Sequence, residues 1–279
     1  MKYISAFLSP IAILFVCSSC TYYYYKPNGV NAPLFTDAGQ AHLHVAGGIG
    51  SGNNIDNAIE YSGTRYAFDL QGSVSPIKHL GIIANYSTTK YVADNPDFAS
   101  GNVDSKSHFL EFGAGGYYAK GKKFKMVLDC YAGYGFGKII GDVDLQMNRI
   151  FLQPGIGLRS PAFDAAFNLR LVNVKYHNLD TKGRDNDYLL QQNLINNGGR
   201  RIDNTNYGFV EPSFTVRTGY KFLKAQLQMV FAEKMTSVPW DYSPYRYTVG
   251  LYFSLEDAIA EARRNRCYKT SDTSDAFLY

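Results

Sequence analysis

Tryptophan is nearly absent from this chain, with one residue in 279, and cysteine is scarce at four. Of Cys17, Cys20, Cys130 and Cys267, the last three remain once a leading signal is removed, an odd count with wide separation that does not suggest a disulfide framework, so no bridge between Cys130 and Cys267 is expected. Strong charge is lacking as well. Only 19% of residues are charged, and 28 Lys and Arg against 24 Asp and Glu leave a net +4. The bases are dispersed apart from Arg200–Arg201 and Arg263–Arg264, which argues against a phosphate-tracking groove and hence against a nucleic-acid partner. A membrane-spanning helix needs about 20 apolar residues; the stretch from Ile11 to Val16 is far too short. Helical periodicity is also missing from the body of the chain until residue 255.

What is abundant is 23 Tyr, 18 Phe and 26 Gly, with 46% hydrophobic residues at a mean hydropathy of −0.22. Tyr and Phe suit strands and membrane interfaces, and Gly suits turns and crowded barrel walls. The length fits a single β-barrel domain.

The first twenty residues, MKYISAFLSPIAILFVCSSC, hold one charge at Lys2, a short apolar stretch and then small residues up to Cys20. This is the order of a removable export signal. Val16-Cys17-Ser18-Ser19-Cys20 resembles the lipobox of bacterial lipoproteins. That resemblance implies cleavage after residue 19 and acylation, with palmitate among the acyl chains, at Cys20, each buried methylene contributing about 0.8 kcal/mol to anchoring. No other cofactor is expected. Alternatives are an ordinary signal peptide with an incidental Cys20, or a lipobox ending elsewhere. Residues 20–39, with Pro27, Pro33 and several turn formers, read as a periplasmic tether.

From residue 40 onward apolar and polar residues alternate, the period of half-buried strands. Tyr66, Phe68, Leu70 and Val74 oppose Ala67, Asp69, Gln71 and Ser73. Leu223, Ala225, Leu227, Met229 and Phe231 oppose Lys224, Gln226, Gln228 and Val230, and Tyr245 to Phe253 repeat the pattern against Arg246 and Thr248. Ten strands are predicted, at 40–50, 61–75, 79–92, 106–119, 124–138, 147–159, 164–176, 207–218, 222–234 and 244–254. Connections alternate in length: short near 76–78, 120–123, 160–163 and 219–221, longer near 51–60, 93–105, 139–146, 177–206 and 235–243. Together with the lipobox this resembles the outer-membrane β-barrel lipoproteins, whose short turns face the periplasm. The implied fold class is all-β, an antiparallel transmembrane barrel of about ten strands over 40–254, with both barrel termini in the periplasm. A soluble barrel or sandwich alternates too, with its faces reversed.

If the apolar face meets lipid, Asp69, Glu111, Asp129, Arg149, Arg159, Arg170, Glu211, Arg217, Lys224 and Arg246 point into the lumen. Buried charges must pair or stay hydrated, and ten strands leave a narrow or occluded bore. His42 and His44 share a strand face and His79 is expected inward near the same rim. Two imidazoles at this spacing lack the further ligands a stable metal site needs, so no metal is expected. The loop 177–206 carries His177, Asp180, Asp185 and Asp187 without a paired Asp/His motif like that of barrel proteases, and reads as a solvated recognition loop. Neither a nucleophile elbow nor a phosphate-binding loop occurs. The glycine patches at 47–52 and 113–118 are expected to relieve crowding in the wall. Tyr22 to Tyr25 could be an interfacial aromatic cluster or a partner-binding strand.

After Phe253, Ser254 with Asp257 fits a capping box, and acids at the start with Arg263, Arg264 and Arg266 at the end suit a short helix. Residues 255–279 are therefore expected as a periplasmic helical tail. Tyr252 and Phe253 resemble the terminal aromatic signal of such barrels, though 26 residues follow. The leading functional expectation is a non-enzymatic structural or accessory subunit, in contact with outer-membrane lipid and with an outer-membrane or periplasmic protein complex through loops and tail. A narrow channel or small-ligand binder, and a barrel-embedded hydrolase, are the alternatives.

Overall fold

The computed structural model describes residues 24–56, 59–93, 104–196, 198–240 and 242–264, with side chains left out over 49–56, 59–64, 92–93 and at 104. Cys20, Tyr22, Tyr23, Cys267 and the tail beyond 264 lie outside the described residues. The alternating segments form strands β1 (Ala41–Asp56), β2 (Ile59–Ile77), β3 (Leu80–Ala93), β4 (Asp104–Lys120), β5 (Lys125–Ile140), β6 (Asp144–Arg159), β7 (Phe163–Asp180), β8 (Asn206–Tyr220), β9 (Leu223–Phe231), β10 (Glu233–Lys234) and β11 (Tyr245–Ser254). Each of β1 to β8 pairs antiparallel with the next, and β11 closes the circle between β9 and β1. The two residues of β10 continue the β9 register on β8, Glu233 opposite Val210, so the wall is a closed barrel of ten strands.

The predicted strands match these within a few residues, with one exception. The connection expected at 51–60 is strand: β1 and β2 pair from Ala41↔Val74 out to Asp56↔Ile59. Backbone pairing needs no side-chain alternation, so the polar run from Ser51 to Asp56 hid the extension from a reading based on period two.

The wall turns its apolar set outward. Leu43, Val45, Phe68, Leu70, Phe112, Leu128, Ile150, Leu152, Leu227 and Leu251 are all exposed, Ile150 at 62%. Their strand neighbours Asp69, Gln71, Glu111, Asp129, Arg149, Gln226, Gln228 and Thr248 are buried in the lumen. This is the reverse of a soluble barrel, in which apolar side chains fill the interior. Cys130 also faces outward.

Residues 26–40 have no regular secondary structure, as their composition suggests, but they do not lie outside the barrel as a tether. They run down its bore, with Val30, Ala32, Leu34 and Phe35 fully enclosed. Wall glycines make room for this filling. A Cβ on Gly133 would come within 2.5 Å of the Phe151 ring, and one on Gly157 would overlap Leu34. The connection between β7 and β8 contains helix α1 (Asn186–Gln191), capped by Asp185, whose carboxylate accepts the Tyr188 amide at 2.9 Å. A second helix, α2, spans 255–264 directly after β11. Ser254 Oγ donates to Asp257 Oδ2 at 2.6 Å, while the Ser254 N–H goes to the Phe222 carbonyl, so the two residues meet side chain to side chain rather than as the reciprocal capping box expected there.

Candidate functional site

The site is the lumen together with the chain that fills it. Because side chains alternate along a strand, every second residue of the wall strands is delivered to one enclosed space. Nine of the ten charges predicted to face inward, all but Arg159, are buried there. They do not form one uniform network. They group into three clusters and one acid left alone.

Nearest the long loops, Glu111 of β4 binds Arg149 of β6 at 2.6 Å and Arg170 of β7 at 3.3 Å, and Arg170 binds Glu211 of β8 at 2.5 Å. Two acids and two guanidiniums thus balance in a fully enclosed patch. Tyr25 Oη donates to Glu211 from the filling segment, and Arg170 donates to the Asn28 carbonyl at 3.3 Å. The Arg149 guanidinium lies 4.2 Å above the Phe109 ring. An uncompensated ion here would cost several kcal/mol, whereas paired and hydrogen-bonded ions are tolerated.

Separately, Arg246 of β11 binds Asp69 of β2 at 2.9 Å and donates to Thr89 at 3.3 Å. Toward the short turns, Lys224 of β9 binds Asp164 of β7 at 2.7 Å, and Arg217 donates to Gln226 at 2.6 Å and to the Ala32 carbonyl at 2.7 Å. Asp164 was missed in the sequence, although it has the same strand parity as Arg170 and so had to face the same way. Asp129 is the acid left alone. Its Oδ1 has no hydrogen-bond partner among the described residues, and neither does the Oδ1 of Asn168 nearby.

The filling segment is held by amides as much as by charge. Val30 is bracketed by Gln228, which accepts its N–H at 2.9 Å and donates to its carbonyl at 2.7 Å. Asn31 donates to Asn85 Oδ1 and to the Gly72 carbonyl, and accepts from Gln153 at 2.8 Å. A side-chain amide both donates and accepts, so it can satisfy an unpaired extended backbone the way a neighbouring strand would. That is the work of Gln153 and Gln228; the alternation put Gln228 on the polar face of its strand, but nothing local marked either residue as a partner for backbone.

At the long-loop end an aromatic cap closes the bore. Tyr25 stacks on Phe209 at 3.9 Å, and the single Trp, Trp240, sits edge-on to Tyr24, Tyr176 and Tyr207. Tyr24 and Tyr25 are therefore buried cap residues rather than an interfacial cluster. The loop expected to be solvated joins in through Leu189, Leu194 and Ile202, all buried. Beside the cap, a cavity of about 20 Å³ touches Tyr24, Lys26 and Asn28; that is room for one water.

Arg159 is the exception among the inward charges: it lies at the short-turn rim, half-buried, where it binds Glu256 at 2.8 Å and Asp257 at 3.2 Å of α2 and the Leu34 carbonyl at 3.3 Å. His42 Nε2 is 2.9 Å from Glu256, and the His42 ring stacks on Phe35. Burial would raise the Glu256 carboxyl, but the hydrogen bonds and charge of His42 and Arg159 outweigh it and hold the group far below the usual carboxylate range. His44 instead meets Gln71 at 3.1 Å. His79 is not inward at all: it occupies the exposed β2–β3 turn at φ 68°, against the Tyr117 carbonyl. Among the described residues no three His, Cys, Asp or Glu side chains converge as metal ligands would. No protein-family model matches the chain, and no curated protein matches it.

Proposed function

We propose that this chain is an outer-membrane β-barrel lipoprotein, anchored through Cys20, that serves as a structural or accessory subunit and binds partner proteins through its long-loop face and its C-terminal tail. Its outward wall supports the membrane reading. Contiguous apolar patches beyond a few hundred Å² are rare on soluble monomers, and here the exposed apolar side chains encircle the barrel. About nine to eleven residues suffice for a tilted strand to cross a bilayer, and apart from β10 the shorter strands, β9 and β11, have nine and ten.

The observation that carries the accessory reading is the occupied lumen. A channel needs a bore and a ligand binder needs a cavity, but residues 26–40 bind the wall from cap to rim. A hydrolase needs acid and base groups open to substrate, whereas Glu111 and Glu211 are neutralised by arginines beneath the cap. What is left free is the exterior, and α2 exposes Leu255 and Ile259 one turn apart beside the short turns. Extraction of a tagged copy from native membranes in mild detergent tests this reading. A partner recovered in fixed stoichiometry, and lost on deletion of 255–279, is the expected result; a lone monomer counts against it.

A further inference from the structure

The filling segment has a direction, and the direction decides where the lipid goes. Its contacts move steadily along the bore. Tyr24 accepts from Tyr176 and abuts Trp240 at the long-loop end. Asn28 meets Glu111 and Arg170, Val30 meets Gln228, Ala32 meets Arg217 and Leu34 meets Arg159. Thr36 accepts from Lys125 at the short-turn end, where Gln40 leads into β1. Along β8 the partners advance from Phe209 through Glu211 to Arg217, and β8 itself runs from the long-loop end to the short turns. The chain therefore enters the barrel beneath the cap, crosses it once and only then begins the wall.

The bore below Tyr24 is occupied by the chain's own continuation, and Tyr24 itself sits at the long-loop end. Cys20 is four residues upstream, a reach of at most about 14 Å. Return to the short-turn side would need a second passage of the same bore, which Tyr24 to Thr36 take twelve residues to make. Short turns face the periplasm in outer-membrane barrels. Resting on the membrane reading above, we infer that Cys20 and its acyl chains are displayed on the outer face of the membrane, on the side opposite to both barrel termini. The anchor expected on the periplasmic side would instead sit in the outer leaflet.

Three epitope insertions in the full chain test the inference: one between Thr21 and Tyr22, one at Gly198–Gly199 in the β7–β8 loop, and one after Tyr279. Antibody is applied to intact cells and again after the outer membrane is permeabilised. The expected result is full binding of the first two on intact cells, and binding of the third only after permeabilisation. An N-terminal epitope that behaves like the one after Tyr279 overturns the inference and leaves the membrane reading intact. A loop epitope hidden on intact cells overturns both. Should the N-terminal insertion block folding, Tyr23→Cys in a Cys130→Ala, Cys267→Ser background replaces it. Labelling of intact cells by a membrane-impermeant maleimide is then expected, and labelling only after permeabilisation is the contrary result.

Discussion

Arg170 is the residue on which most of the lumen chemistry converges. It joins Glu111 to Glu211 and reaches the Asn28 carbonyl, so it ties three wall strands to the filling segment. Removing one member of a buried ion pair strands the other, at a cost of about 3–5 kcal/mol. Arg170→Met is accordingly expected to lower stability by that amount, read as a shift in the urea midpoint of the detergent-solubilised barrel; an unchanged midpoint would mean that the carboxylates are hydrated rather than paired. That charges at 111, 149, 170 and 211 face one space was legible in the sequence, because parity along a strand fixes the face. Which charge meets which was not, since pairing across β4, β6, β7 and β8 depends on register and on a bore narrow enough for side chains to meet.

Among the elements, α2 is the one whose attachment can be titrated. Its start was legible from the acids and the Ser254–Asp257 spacing, although those two residues meet side chain to side chain and not as a capping box. Its docking was not, because the partner of Glu256 and Asp257 is Arg159, about a hundred positions away. The Glu256 carboxyl is held below the usual range, so its contribution is fully present above the pKa of an unfolded Glu, about 4.3, and is lost as pH falls through its lower folded value. The protection of the amides over 255–264, measured as exchange corrected for its intrinsic dependence on pH, is expected to hold at neutral pH and to fall as the solution is acidified through the carboxylate range. Glu256→Gln should abolish that acid step; if the step persists in the variant, docking is governed by another group. The β7–β8 connection shows the opposite limit of local reading. Its polar composition suggested solvation, but Leu189, Leu194 and Ile202 reach the cap, and a few apolar residues at the right places outweigh an amide-rich average.

At the scale of the whole molecule the closed wall and the chain inside it act as one object. If the segment is what seals the bore, replacing Asn28, Val30, Leu34 and Phe35 together by Gly should open it. Single-channel steps in a planar bilayer are expected from that variant and not from the native protein. Steps of equal size from both would move the functional reading to a channel.

The sequence by itself determined the run of alternating strands, which residues of a strand share a face and where most of the turns fall, because these follow from local period and local turn chemistry. Only the tertiary structure decided which face is outside, what fills the bore and from which end the chain enters. Those properties belong to the closed circle: the inside exists only after β11 has met β1, and nothing in the run from Tyr24 to Gln40 records, residue by residue, that a wall will close around it.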